Sequence, residues 1–351
     1  MNLRTLMQTY RSDPISGFYK LEYCTRRYYN RLMDQLARTW WIAEDSYDCH
    51  CAAFTDISTI NGRRVFSWHR QWTGGDQKIS MGHALVGMLR TLVNFGDYAL
   101  DDKDCERVAN ILHKMRFANG KPRTVQITRE QATAVCNRAR TTLPMVGLAQ
   151  ALQFECSWRQ KDVIGEWLPV DEPGLSDVCS MHPKKGPMKW LKGLRWEEID
   201  AEFIVHHVTS KRKKLSEPDL KLAPLVMAEL EYQWPGCVER RDDKIIVHRD
   251  LLPAKGSVIV DEYTGFPYKA DDFREEWRVI ATECDVPLNV QNRDNRAGGI
   301  SEAIAMGAKA EHVRDMATHS DVSQTMDYSR ASRENTHTVQ RMRMEKSGSA
   351  A

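Results

Sequence analysis

Nowhere in its 351 residues does the chain carry a run of 18 apolar residues, which excludes a membrane-spanning helix. Its first residues, Met1-Asn2-Leu3-Arg4-Thr5-Leu6, lack the apolar core of a secretory leader. There is no GxGxxG and no Walker-type loop, so the usual glycine-built cradles for nucleotide phosphates are missing. The nine cysteines are an odd number, scattered from Cys24 to Cys284. Their one tight cluster, Cys49-His50-Cys51, has no second ligand pair at zinc-finger spacing. The expectation is reduced thiols in a cytoplasmic protein, with no metal site and no cofactor. Net charge is nearly absent too, with 50 Lys and Arg against 48 Asp and Glu. That is not the global signature of a DNA-coating protein; any surface for a polyanion must come from local clustering.

What remains is a folded chain, 42% apolar with ten Trp, long enough for two cores. Residues 1–116 read as helical. Over 21–44, Tyr29, Leu32, Met33, Leu36 and Trp40 recur at helical spacing. Arg27, Arg31 and Arg38 line another face of that helix, interleaved with Tyr28, as a phosphate-facing surface would be. Further helices are expected over 80–95 and 105–117. The stretch Ala118-Asn119-Gly120-Lys121-Pro122-Arg123 has breakers and no periodicity, which places an interdomain linker over 118–127. A second domain follows over 128–332, opening with a capping box at Thr128 and Gln131. Its helices are expected over 143–154, 223–232, 271–284, 298–306 and 310–316. Between about 187 and 223 the pattern is that of strands, with Phe203, Val205 and His207 alternating with polar residues. The run Lys211-Arg212-Lys213-Lys214 reads as a basic turn between two of them. Residues 333–351 are polar and read as a flexible tail. The fold class expected is mainly α with a small antiparallel β-sheet.

The chemistry-bearing residues cluster late. Arg293-x-x-Arg296 is followed by His319 after 23 residues and by Tyr328 after nine more. Two guanidiniums can clamp phosphate oxygens, an imidazole can bond to phosphate or move a proton, and a phenol can attack. Arg293 and Arg296, three apart at a predicted helix start, are expected to share one face beside free backbone N–H groups. No carboxylate cluster has metal-ligand spacing, so the charge of a phosphodiester transition state would fall to guanidiniums.

This order resembles the tyrosine recombinases, the phage integrase family. Arg159, with Asp162 three later, looks like the family's first arginine box, and His207-Val-Thr-Ser-Lys211 like the hairpin carrying its lysine. Asp294-Asn295-Arg296 is similar to the second arginine box, Thr318-His319-Ser320 to its Gly-His-Ser step, and Thr325-Met-Asp-Tyr328 to its nucleophile segment. The departures are Arg293 at a position usually held by His, Ser157-Trp158 in place of Gly-Leu, and Thr318 in place of Gly. The resemblance implies a helical core-binding (SAM-like) domain over 1–117 and an α+β catalytic domain over 128–332. It implies a site-specific recombinase or integrase that cuts and rejoins DNA through a 3′-phosphotyrosine on Tyr328, without metal or ATP. Arg159, Arg293 and Arg296 would bind phosphate, His319 would assist, and Lys211 (or Lys213) would protonate the leaving oxygen. Arg212, Lys213 and Lys214 would contact the DNA backbone. The partners implied are double-stranded recombination sites, a homotetramer on two of them, and a nucleoid-associated location in the cytoplasm. A type IB-like topoisomerase or telomere resolvase, and a weakened DNA-binding relative, stay open.

Overall fold

The computed structural model describes residues 1–42, 49–120, 123–242, 244–319 and 321. They belong to two compact units, Met1–Arg123 and the part of the chain from Thr124 onward.

The first unit contains helices α1 (Leu3–Ser12) and α2 (Tyr23–Ala37), strands β1 (Trp40–Ile42) and β2 (Cys49–Cys51), then helices α3 (Gly62–Thr73), α4 (Ile79–Leu100) and α5 (Lys103–Lys114). Side-chain caps set three of the starts: Asn2 accepts from the Thr5 N–H, Asn61 from Arg64 and Asp102 from Cys105. The long helix α4 is the spine. It buries Leu85, Met88, Leu89, Leu92, Val93 and Phe95 in a core shared with Leu6 of α1, Met33 of α2, Trp68 of α3 and Val108 of α5. Gly96 permits the close α4–α5 approach, since a Cβ there would strike the Cys105 side chain.

The helix expected over 21–44 ends at Ala37. Trp40–Ile42 instead pairs antiparallel with Cys49–Cys51, so the Cys-His-Cys cluster is a strand. The far end of that expected helix, Glu44, lies outside the described residues, as do Lys121 and Pro122 of the expected linker. Helix α3 lies within the stretch read as helical, but no bounds were expected for it, although Val65, Trp68 and Trp72 bury one face at helical spacing. Four cationic or imidazole side chains around them (Arg63, Arg64, His69 and Arg70) dilute the stripe.

The second unit begins with α6 (Arg129–Ala139), α7 (Pro144–Glu155) and the short α8 (Gln160–Ile164). Strands β3 (Glu166–Pro169), β4 (Cys179–His182) and β5 (Gly186–Leu191) follow, then β6 (His207–Val208) and β7 (Leu215–Ser216). Helix α9 (Pro224–Gln233), strands β8 (Val238–Arg241) and β9 (Lys244–Val247), and helices α10 (Ala270–Glu283), α11 (Asp294–Ala305) and α12 (Ala310–Met316) complete it. The capping box forms: Thr128 and Gln131 each accept from the other's backbone N–H at the start of α6.

Helix α7 is buried all round and packs against α6, α9 and α11. Its crossing with α11 depends on two glycines. A Cβ on Gly298 would collide with the carbonyl of Ile127, and one on Gly299 with the carbonyl of Phe154. Charge ties the same helices together. Arg129 at the start of α6 pairs with Glu302 of α11 and, at 3.2 Å, with Glu155 of α7. The other oxygen of Glu155 accepts from the first amides of α9 at 2.9 and 3.2 Å.

All named strand pairs are antiparallel. The expected strand run begins earlier and divides, with β3, β5 and β4 forming a three-stranded sheet in that order and β6 and β7 a separate two-residue hairpin. Phe203 and Val205 alternate in burial but form no strand; Phe203 is left-handed (φ 61°) and Val205 makes an isolated bridge to Ile199. Strands β3 and β4 escape sequence reading because they are short and the β4–β5 turn, Pro183-Lys184-Lys185, is polar.

Gly299→Ala should destabilise the protein by about 3 kcal/mol, since backbone rather than a flexible side chain must give way; urea unfolding measures it. A second expectation concerns Glu229 of α9, fully buried and accepting from the Arg140 guanidinium at 2.9 Å. Burial raises its pKa to about 7 against the opposing pull of Arg140. A raised carboxyl holds its proton longer when folded, so its stabilising contribution is lost as pH rises from about 4.5 through 7. Glu229→Gln should therefore gain on the wild type between pH 5 and 8, read as a rising difference in urea midpoint.

Candidate active site

The centre is built on the start of α11. A chain of buried hydrogen bonds holds its first turn. Trp277 Nε1 donates to Gln150 Oε1 at 2.7 Å, Gln150 Nε2 to Asn295 Oδ1 at 2.6 Å, and Asn295 Nδ2 to the Asn292 carbonyl at 2.8 Å. With that turn fixed, Arg296 points inward and is only 8% exposed. Its guanidinium donates to two backbone carbonyls, Ser157 O at 2.5 Å and Ala317 O. It thereby joins the segment before Arg159 to the segment before His319.

Arg159 is the residue ahead of α8, its guanidinium 3.8 Å from Asp162. Asp162 is fully buried, and its other oxygen accepts from the Ser210 N–H at 2.6 Å, which anchors this box to the β6–β7 hairpin. The basic turn of that hairpin is closed by bonds from Thr209 N to Lys214 O at 2.9 Å and from Lys213 N to Thr209 O at 3.0 Å. From it, the Lys214 ammonium reaches the His319 carbonyl at 3.2 Å.

His319 follows α12, is 4% exposed, and its N–H donates to the Arg314 carbonyl at 2.9 Å. Burial first, then the charges of Arg296, Arg159 and Arg212, lower its pKa to about 4. The imidazole is therefore neutral at physiological pH, able to donate from one nitrogen and accept at the other.

Two residues beside this centre have strained backbones. Ser157 and Thr318 both adopt left-handed conformations, each with φ 52°. These are the positions where the resemblance has glycine. A left-handed non-glycine residue costs about 1–2 kcal/mol, more when β-branched like Thr. The conformation persists because Arg296 holds the carbonyl of Ser157 and that of Ala317 next to Thr318.

The structure thus brings together Arg159, Arg296, His319, Arg212 and Lys214. Arg293 corrects the expectation of a shared face: it stands at the N-terminal end of α11, without a side-chain capping bond, and is exposed, while Arg296 is buried. Lys211, Lys213 and Lys214 are all exposed, and the Lys214 ammonium, which sequence reasoning had given only a backbone-contact role, bonds to the His319 carbonyl. No spacing rule distinguishes four successive basic residues; the left-handed turn at Lys213 does. Tyr328, Ser320, Thr325 and the expected tail over 333–351 lie outside the described residues. In the first unit Arg27, Arg31 and Arg38 are all exposed, along α2 and at its end. Sequence reasoning passed over the outer face of α3, where Arg63, Phe66, Arg70 and Gln71 stand exposed side by side. Among the described residues no three His, Cys, Asp or Glu side chains converge as a metal cage, and no helix is long and apolar enough to cross a membrane.

This mainly helical chain with small antiparallel sheets shares its fold with integrases of known structure. Among solved structures, a lambda integrase dimer bound to a COC′ core site matches with a TM-score of 0.65 at 11% identity, over 93% of this chain and 95% of that one. A lambda integrase tetramer bound to a Holliday junction matches with a TM-score of 0.61 at 11% identity, over 93% of this chain and 77% of the other. The integrase of transposon Tn1549, in complex with transposon right end DNA, matches with a TM-score of 0.57 at 12% identity over 98% and 100%. No family model and no curated protein matches the sequence.

His319 should titrate near pH 4 by histidine-selective NMR, with no inflection between pH 6 and 7. Because its folded pKa is depressed, its stabilising contribution is complete above about 6.5 and lost as pH falls through about 4. A His319 titration near 6.5 would mean that the imidazole is neither buried nor surrounded by these cations.

Proposed function

We propose that the protein is a site-specific DNA recombinase that cleaves and rejoins duplex DNA through a covalent bond between Tyr328 and the 3′-phosphate. The observation that carries this reading is the meeting of Arg159 and Arg296 with a neutral, buried His319, reached from three separate stretches of chain. Attack on a phosphodiester places negative charge on the non-bridging oxygens, and fixed guanidiniums answer it without reorganising. His319, neutral, hydrogen-bonds to that phosphate or passes a proton. A lysine of the basic turn protonates the departing 5′-oxygen; the contact to His319 favours Lys214 over Lys211 and Lys213. Arg293 lies at the exposed start of α11 and contacts the DNA backbone rather than the reacting phosphate. Energy of the broken bond is kept in the phosphotyrosine, so rejoining requires no ATP, and no step passes through a metal.

The fold shared with integrases crystallised on a core site and on a Holliday junction supports double-stranded DNA as substrate and a tetramer as the working assembly. Arg27, Arg31 and Arg38, and the α3 face bearing Arg63 and Arg70, supply candidate backbone contacts in the first unit, with Arg212 and Lys213 in the second.

A nicked suicide substrate tests the reading. The wild type should form a covalent protein–DNA adduct and Tyr328→Phe none. Arg159→Ala should form it about 10²–10³-fold more slowly, as expected for loss of one preorganised donor. A wild type with no more adduct than Tyr328→Phe would leave a DNA-binding relative only. In the same assay Lys214→Ala should slow cleavage more than Lys211→Ala, and a substrate with a 5′-thiol leaving group, which needs no acid, should restore the slower variant.

A further inference from the structure

The residue ahead of Arg159 is Trp158, and its side chain turns into the core, where it is 1% exposed. Its Nε1 donates to the Ser216 hydroxyl at 3.0 Å, 58 residues away. Its ring lies against His207, with centroids 5.2 Å apart and planes tilted 45°. His207 and Ser216 face each other across the β6–β7 hairpin. His207 is itself buried, with Nδ1 at 3.0 and 3.2 Å from the two oxygens of Glu198. Glu198 in turn accepts from the Arg195 N–H at 2.8 Å, and its carbonyl accepts from His206 N at 2.7 Å. Histidine Nε2 is buried with no hydrogen-bond partner among the described residues.

This arrangement is costly as plain packing. An aliphatic pair would fill the space without burying an imidazole nitrogen and an indole N–H that need partners. What it does achieve is a stiff connection. Trp158 is one peptide from Arg159, about 3.8 Å between Cα atoms. Ser216 lies two residues beyond Lys214, in a turn already closed by the Thr209–Lys214 bonds. The base of the hairpin and the first arginine box therefore move as one piece.

We propose that Trp158, Ser216, His207 and Glu198 form a positioning clamp that sets the Arg159 guanidinium and the Lys211–Lys214 turn at a fixed separation across the bound phosphodiester. The clamp residues touch no reacting atom; they act through Arg159 and Lys214. The inference rests on the recombinase reading for its purpose, and its test separates the two.

Trp158→Phe keeps a ring against His207 and removes the bond to Ser216, and Ser216→Ala removes the same bond from the other side with little risk to folding. At saturating DNA, each should slow single-turnover adduct formation about 10-fold while DNA affinity stays within about 2-fold, because geometry and not binding is lost. The double variant should be no slower than the slower single, as for one shared bond. Wild-type adduct rates in both variants, or losses that multiply in the double, overturn the clamp, as does a fall in affinity equal to the fall in rate. Amide hydrogen exchange gives a readout independent of chemistry. Thr209, Ser210 and Lys213 should exchange faster in Trp158→Phe, relative to the amides of α9. Should the wild type form no adduct, the recombinase reading fails and the exchange result alone decides: faster exchange at those three amides upholds the clamp, unchanged exchange overturns it.

Discussion

The second unit of this protein depends on where one guanidinium is held. Arg296 bonds to the carbonyls of Ser157 and Ala317, and those two atoms belong to segments more than 150 residues apart. Each such charged bond contributes about 1.5–3 kcal/mol when buried, and removing the cation would leave two carbonyls without it. The planar fork also fixes direction, since a guanidinium cannot satisfy two carbonyls and rotate. Both residues that follow these carbonyl-bearing turns, Arg159 and His319, inherit their positions from it. The left-handed backbones of Ser157 and Thr318 are stable only in that setting.

Holding cations together has an electrostatic consequence. Arg159, Arg296 and Arg212 all act on His319, and with burial they keep its imidazole neutral. Repulsion within such a group is tolerated because the fold supplies oxygen on every side: backbone carbonyls for Arg296, Asp162 for Arg159, the His319 carbonyl for Lys214. In the proposed reading a phosphodiester completes the set, and its charge meets donors already in place. The half-buried Glu155–Arg129–Glu302 group does comparable work away from the centre, binding four helices into one support.

Much of the helical framework was legible, because amphipathic spacing survives in a single sequence: α4, α5, α7, α9, α10 and α12 fall close to where apolar periodicity places them. Misses have local causes. Helix α2 stops early because Trp40–Ile42 finds a strand partner, Cys49–Cys51, which helical spacing cannot reveal. Helix α3 hides its Val65, Trp68 and Trp72 stripe among arginines and a histidine. The three-stranded sheet is built from strands of four to six residues, too short for alternation to stand out. At the centre, Arg159, Arg296 and His319 were legible as spaced residue types. The bond from Lys214 to the His319 carbonyl was not, since it depends on the direction a tight turn gives each side chain.

By itself the sequence determined residue chemistry and order: an arginine, a basic turn, two more arginines and a histidine in one succession, and the apolar stripes that make helices. Those are properties of neighbours along the chain, set by composition and by a period of 3.6. Only the tertiary structure decided which of them meet. Arg293 and Arg296, equivalent on paper, part at the start of α11, one to solvent and one to two buried carbonyls. Trp158, unremarkable as a core residue, becomes the link between Arg159 and the hairpin. Such contacts join residues tens to more than a hundred positions apart, and no local propensity encodes them; they exist because close packing around α7 leaves each buried polar group few partners to choose from.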